Sequence, residues 1–224
     1  MVVLATKLYV DGDARERSLD SLRSLIGNEI GELDVAFDLS IRDDDFPEVA
    51  VEGEDAVVAE NVLREEFGEI VPELEPGETY VGTLESWNDE GFVLDAGQPV
   101  EIPVDELGLG PGSPTQIRER YGLVQHLPMR FVYGSDDEPS RLAADEQDRL
   151  YDWTRGDGRL NVNSATRAEV RATLNRAGHA QDYVTVERLG LLEQSVICTE
   201  GTDPPGLLAS VGEYLPAELR CVVP

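Results

Sequence analysis

The chain has almost no lysine: Lys7 stands alone, and the other seventeen basic residues are all arginine. Cysteine is nearly as scarce, with only Cys198 and Cys221 in 224 residues. Two thiols cannot staple a chain of this length, and no His or Cys lies near either at zinc-ligand spacing, so both read as reduced packing residues. Only two histidines are present, His126 and His179, in different expected domains. A histidine-based catalytic triad would therefore need a contact between domains. No apolar run approaches the ~18 residues of a membrane span, and Met1 to Lys7 lacks the basic start and long apolar stretch of a signal peptide. The expectation is a soluble, cytoplasmic protein with no membrane partner. Walker loops, GxGxxG after a strand, HExxH, GxSxG and paired CxxC are all missing, so no cofactor and no metal site are expected. Gly108-Leu109-Gly110-Pro111-Gly112 is glycine-rich but has no lysine to hold phosphate.

What is abundant is acid. Forty-six Asp and Glu oppose eighteen bases, for a formal charge of -28, with 41% hydrophobic residues. That apolar fraction is ample for folded cores, so the chain is not intrinsically disordered. Loss of lysine with a large acidic excess resembles the proteins of salt-in haloarchaea. Molar salt shortens the Debye length to ~3 Å and screens the self-repulsion of such a charge. The acidity then reports habitat before function.

The distribution is more telling. Net charge is -16 over residues 1–78, -7 over 79–117, zero over 118–176 and -5 over 177–224. Ten of the seventeen arginines fall in the neutral stretch, beginning with Arg118 and Arg120. Any polyanion-binding face is expected there.

Along residues 1–70 the pattern predicts a strand over 3–10, a helix over 14–28 with Leu19, Leu22, Leu25 and Ile26 at helical spacing, paired strands over 34–42 and 48–52, and a helix from Ala56 to Phe67. This β-α-β-β-α order suggests a small α/β sandwich, one strand short of a ferredoxin-like unit. Asp43-Asp44-Asp45 reads as a solvated turn. A proline- and glutamate-rich linker follows at 70–77. Short strands over 80–87, 92–95, 100–104 and 129–133, divided by glycine turns, with a short helix over 115–121, argue for a small barrel at 77–134.

Gly77 to Glu85, Gly91-Phe92-Val93-Leu94-Asp95, Ile102 to Leu107 and Leu127 to Val132 together resemble an S1-type RNA-binding domain of the OB-fold class. The whole chain is similar to an archaeal family, domain-of-unknown-function family 2110, whose label carries no activity. The S1 resemblance implies that Phe92 lies where bases stack, with Tyr80 and Trp87 on the preceding strand as a second platform; stacking contributes about 1–3 kcal/mol per base. That family's histidine and basic residues after the third strand are replaced by Glu101, Asp105 and Glu106.

After an acidic linker at 135–139, a helix is expected over 139–155. A capped helix follows, with Ser164 or Thr166 as the cap and Glu169 at the capping-box interval from Thr166. A hairpin over 183–199, a helix over 204–214 and a strand over 219–223 complete a second α/β unit at 139–224. Residues 160–166 superficially look like a helix-hairpin-helix but lack its glycine hairpin. Arg167 and Arg171, four apart on one helical face, offer forks for phosphate.

The expected fold is therefore α+β: a central S1-like OB-type β-barrel flanked by two small α/β sandwich, ferredoxin-like units. The expected function is a non-enzymatic RNA-binding or RNA-machinery-associated protein, with Tyr80, Trp87 and Phe92 stacking bases and Arg118, Arg120, Arg167 and Arg171 holding phosphates. The alternative is a protein-interaction module docking on a basic ribosomal or RNA-polymerase subunit. A weaker alternative is a metal-dependent RNA-processing enzyme.

Overall fold

The computed structural model of the chain describes residues 1–215 and 217–224. Its described elements form three antiparallel sheets, each with its own apolar core.

The N-terminal part contains strand β1 (Val2–Val3), helix α1 (Gly12–Ile30), strands β2 (Val35–Ile41) and β3 (Pro47–Gly53), and helix α2 (Ala56–Phe67). The sheet order is β1-β3-β2. Leu22, Ile26 and Ile30 from α1 meet Leu63 from α2 and Val49 from β3 in the core, as the 3.6-residue spacing predicts. The strand expected over 3–10 is a difference: pairing stops at Val3 apart from a bridge between Leu4 and Glu69. The chain then runs on irregularly: the Leu4, Ala5 and Leu8 N–H groups donate to the Pro47, Gly68 and Asp45 carbonyls of the same domain, while the Thr6, Lys7 and Tyr9 side chains reach the other two domains. The turn at 43–45 is as expected from its aspartates: Arg42 pairs with Asp44, Arg15 with Asp45, and Asp45 takes φ 67°.

The central part is a curled half-barrel of five strands in the order β6-β5-β4-β7-β8. These are β4 (Thr79–Asn88), β5 (Gly91–Asp95), β6 (Pro99–Pro103), β7 (Pro128–Val132) and β8 (Arg141–Leu142). Helix α3 (Pro114–Arg120) starts on a capping box between Ser113 and Gln116, with Pro114 in the first turn where its missing N–H costs nothing. Helix α4 (Ala144–Trp153), which its position in the sequence attached to the third domain, packs Leu150 and Trp153 into this central core.

The C-terminal part orders its strands β10-β11-β9-β12, from β9 (Arg159–Val162), β10 (Tyr183–Arg188), β11 (Gln194–Cys198) and β12 (Leu219–Val222). Helices α5 (Arg167–Arg176) and α6 (Pro204–Val211) cover one face, and the predicted Thr166–Glu169 capping box is formed. Strand β9 occupies the stretch that superficially looks like a helix-hairpin-helix, and it pairs with both β11 and β12. Cys198 and Cys221 are thus on strands separated by β9, both thiols free.

The three cores interlock. Leu191 and Leu192 from the β10–β11 turn pack in the N-terminal core, and Val222 of β12 packs in the central one.

Candidate functional site

The seven residues singled out by sequence do not converge. Phe92 is 1% exposed and lies in the central core, so its ring has no face open to a base. Arg118 is 3% exposed; its guanidinium stacks on Trp87 at 3.4 Å and pairs with Glu218. Burial pulls the Arg118 pKa down. Burial also works against ionisation of Glu218, but the Gln125 N–H at 2.8 Å and Arg118 outweigh it and hold that carboxyl below its ordinary range. This arrangement leaves Arg118 committed within the fold and covers one side of Trp87. Arg120 is exposed, and it donates to the Leu109 and Pro111 carbonyls at 3.1 and 2.7 Å. Arg167 and Arg171 are exposed on α5, where Arg17 of α1 reaches across to Glu169 at 2.9 Å. Tyr80 is half-buried against Phe131, and its hydroxyl accepts from the Glu75 N–H at 2.9 Å.

Of the seven, Tyr80 lines a groove of about 640 Å³ where the three domains meet. Four arginines share its walls: Arg64 from α2, Arg130 from β7, Arg149 from α4 and Arg188 from β10. Each has an acidic partner: Glu60 and Glu69 for Arg64, Asp145 for Arg130, Glu146 for Arg149, Glu66 for Arg188. Two guanidinium nitrogens nonetheless have no hydrogen-bond partner, Arg149 Nε and Arg188 Nη1, both buried. Four guanidinium groups against five carboxylates make the lining nearly balanced, in a chain of net charge -28.

Behind the groove is a polar junction. Lys7, the lone lysine, is 7% exposed, 2.7 Å from Asp95 and 3.1 Å from Glu85. Burial lowers its pKa, but Asp95 and then Glu85 outweigh that, so the net shift is upward and the ammonium is kept charged. Glu85 is lowered to about 2, first by His126, against burial, and then by Lys7. His126 Nδ1 stands 3.3 Å from Glu85 Oε2 but off the hydrogen-bond line, so the aligned Lys7 bond is the firmer of the two. The His126 ring packs on Tyr9 with centroids 3.9 Å apart. The Tyr9 hydroxyl donates to Glu193 Oε1 at 2.7 Å and accepts from the Ser164 N–H at 2.9 Å. Thr6 Oγ1 accepts from the Leu191 N–H at 2.8 Å. Residues 6–9 are therefore the peg around which the other two domains close.

Comparison with known families matches residues 1–73 to the DUF2110 N-terminal domain, 74–154 to the DUF2110 central domain and 157–223 to the DUF2110 C-terminal domain. The chain belongs to the DUF2110 family. No curated protein matches it. The central DUF2110 match ends one residue after α4, in keeping with the packing of Leu150 and Trp153.

Two other features of this DUF2110 chain bear on chemistry. His179 bonds Asp182 through Nδ1 and Ser210 through Nε2, both at 2.6 Å, so a triad-like chain forms within one domain, where sequence spacing pointed to an interdomain contact. Ser210 stands in the last turn of α6, where the helix's partial negative charge opposes an alkoxide. The hollow beside His179 is bordered by Asp182 and the 199–203 loop rather than by Ser210. The three residues fasten α6 to the turn before β10. Among the described residues no group of three or more His, Cys, Asp or Glu side chains is placed to hold a metal, and no helix is long and apolar enough to cross a membrane.

Arg64, Arg130, Arg149 and Arg188 were not separable by sequence from the other arginines, because they come from four elements and three domains. Lys7 did carry a signal. In a chain whose other basic residues are all arginine, the one lysine places its compact ammonium between two carboxylates, Glu85 and Asp95.

Proposed function

We propose that this DUF2110 protein binds single-stranded RNA, as a non-enzymatic, cytoplasmic component of the RNA machinery of a halophilic archaeon. In this reading the curled central sheet is an S1-like OB-type barrel and its neighbours are ferredoxin-like units. The contact surface is the interdomain groove, with the exposed Arg167 and Arg171 as an outlying phosphate contact. The observation that carries the reading is the convergence of Arg64, Arg130, Arg149 and Arg188 with Tyr80 on one groove. Guanidinium forks exchange a carboxylate for a phosphate with little change of geometry, and the half-buried Tyr80 ring is a stacking surface.

Fluorescence anisotropy of a labelled oligoribonucleotide, titrated from molar to sub-molar KCl, tests it. About four phosphate contacts to a single strand give log K against log[salt] a slope of about -3. Replacing Arg149 and Arg188 together by Gln should weaken binding and flatten that slope by about 1.4. Absence of RNA binding at any salt overturns the reading. The surplus of carboxylates on the same walls favours a second reading, docking of a basic ribosomal or RNA-polymerase subunit. Recovery of such a partner that survives nuclease, without crosslinked RNA, would select it.

A further inference from the structure

Glu193 is fully buried at the point where all three domains touch. Its Oε1 accepts the Tyr9 hydroxyl, whereas Oε2 has no hydrogen-bond partner. Oε2 lies against the backbone of Gly190, so closely that a Cβ on that glycine would fall 2.2 Å away. The same Cβ would meet the Pro128 ring at 3.0 Å, which places Glu193 directly behind the groove wall that Pro128 and Gly190 form. The charged groups around it are already engaged. Lys7 is held by Asp95 and Glu85, and His126 faces Glu85 while covering the Tyr9 ring. Arg188 on the same hairpin is bound to Glu66, and Arg149 across Pro128 to Glu146. No cation is left to balance a carboxylate at this position, and an uncompensated buried charge costs far more than a neutral acid.

We propose that Glu193 is a proton-bearing latch: its carboxyl is held at the three-domain junction as the neutral acid, and loss of that proton loosens the N-terminal and C-terminal domains about Tyr9. The proton passes to solvent hydroxide, leaving a carboxylate that must draw in water or separate the domains to be solvated. Burial pushes the Glu193 pKa up to about 8, against the opposing pull of the Tyr9 hydroxyl and the nearby Leu192 and Glu193 backbone N–H groups. The sign follows from linkage. Between the ordinary value of 4.5 and about 8, the unfolded chain has released this proton while the folded chain retains it. Each pH unit in that window therefore disfavours the folded state tenfold through this group, roughly three-thousandfold across the window, with no further loss above it. The inference goes beyond the RNA reading and stands or falls separately, because its readouts contain no RNA.

The test compares the full-length wild-type chain with Glu193→Gln from pH 5 to 10, in constant molar KCl. The folding equilibrium of the variant relative to wild type should improve about tenfold per pH unit up to about pH 8, then level off. Exchange of the Ser164 and Leu191 amides, which bond Tyr9 and Thr6, should rise beyond the base-catalysed rate between pH 5 and about 8 in wild type, then run parallel to that rate above pH 8, and show no such excess in the variant. Parallel pH profiles for the two proteins overturn the latch. Should Glu193→Gln not fold, infrared spectroscopy of the wild type decides: a protonated carboxyl band at pH 6.5 that disappears through about pH 8 supports the proposal, and no such band at pH 6.5 overturns it.

Discussion

Arg118 and Trp87 occupy each other: the guanidinium carbon stands 3.4 Å from the ring centre, and Glu218 pairs with the same guanidinium. Two residues that suit nucleic-acid recognition are thereby spent on joining α3 and β4 to the segment before β12. Arg118→Ala leaves Glu218 without its buried partner and uncovers the indole, and it should cost about 3–5 kcal/mol. Chemical denaturation measures the loss, and tryptophan emission should shift to the red. RNA affinity of the folded fraction should stay the same.

Phe92 behaves as a core residue. Truncation to Ala should destabilise the chain by about 3–5 kcal/mol, since the half-barrel cannot collapse around the cavity. RNA affinity measured below the melting temperature should be unaltered. A specific loss of affinity with unchanged stability would mean that the ring is reached by a base.

Lys7→Met removes the only cation between Asp95 and Glu85 while preserving most of the volume. The unpaired carboxylates, both partly solvated, should cost about 1–3 kcal/mol, seen as a lowered denaturant midpoint. Lys7→Arg should recover part of the charge balance but not the packing against Phe46, where the ammonium lies 5.1 Å from the ring centroid.

On the acid side, Glu85 sets the profile at the same junction. Its folded pKa of about 2 lies below the ordinary 4.5, so its contribution is complete above pH 4.5 and is lost as pH falls toward 2. Glu85→Gln should flatten the acid limb of a plot of melting temperature against pH. The remaining slope below pH 4.5 reports the other ion-paired carboxylates.

Local patterns were readable where one element buries a single face. The spacing of Leu22, Ile26 and Ile30 marks α1, and Thr166 with Glu169 marks the start of α5. What stayed hidden are the partners of those faces. Helix α4 was visible as a helix, but periodicity cannot say that Leu150 and Trp153 turn toward the central sheet. Strand β9 was obscured by the superficial likeness of residues 160–166 to a helix-hairpin-helix, a stretch that includes Asn161 and Asn163. Both are buried because they donate to the Gly122 and Gln125 carbonyls of the central domain. The groove was illegible for the same reason: its arginines are neighbours only after three domains have docked.

The peg formed by residues 6–9 also fixes an order of events in the cell. Thr6 waits for Leu191, 185 positions downstream, and Tyr9 for Ser164, 155 positions downstream. At 5–20 residues per second of synthesis, that delay is on the order of ten to forty seconds. Throughout it the nascent N-terminal domain carries an unfinished flank, with Leu191 and Leu192 still missing from its core. Residues 164–192 must be made before the N-terminal domain is closed.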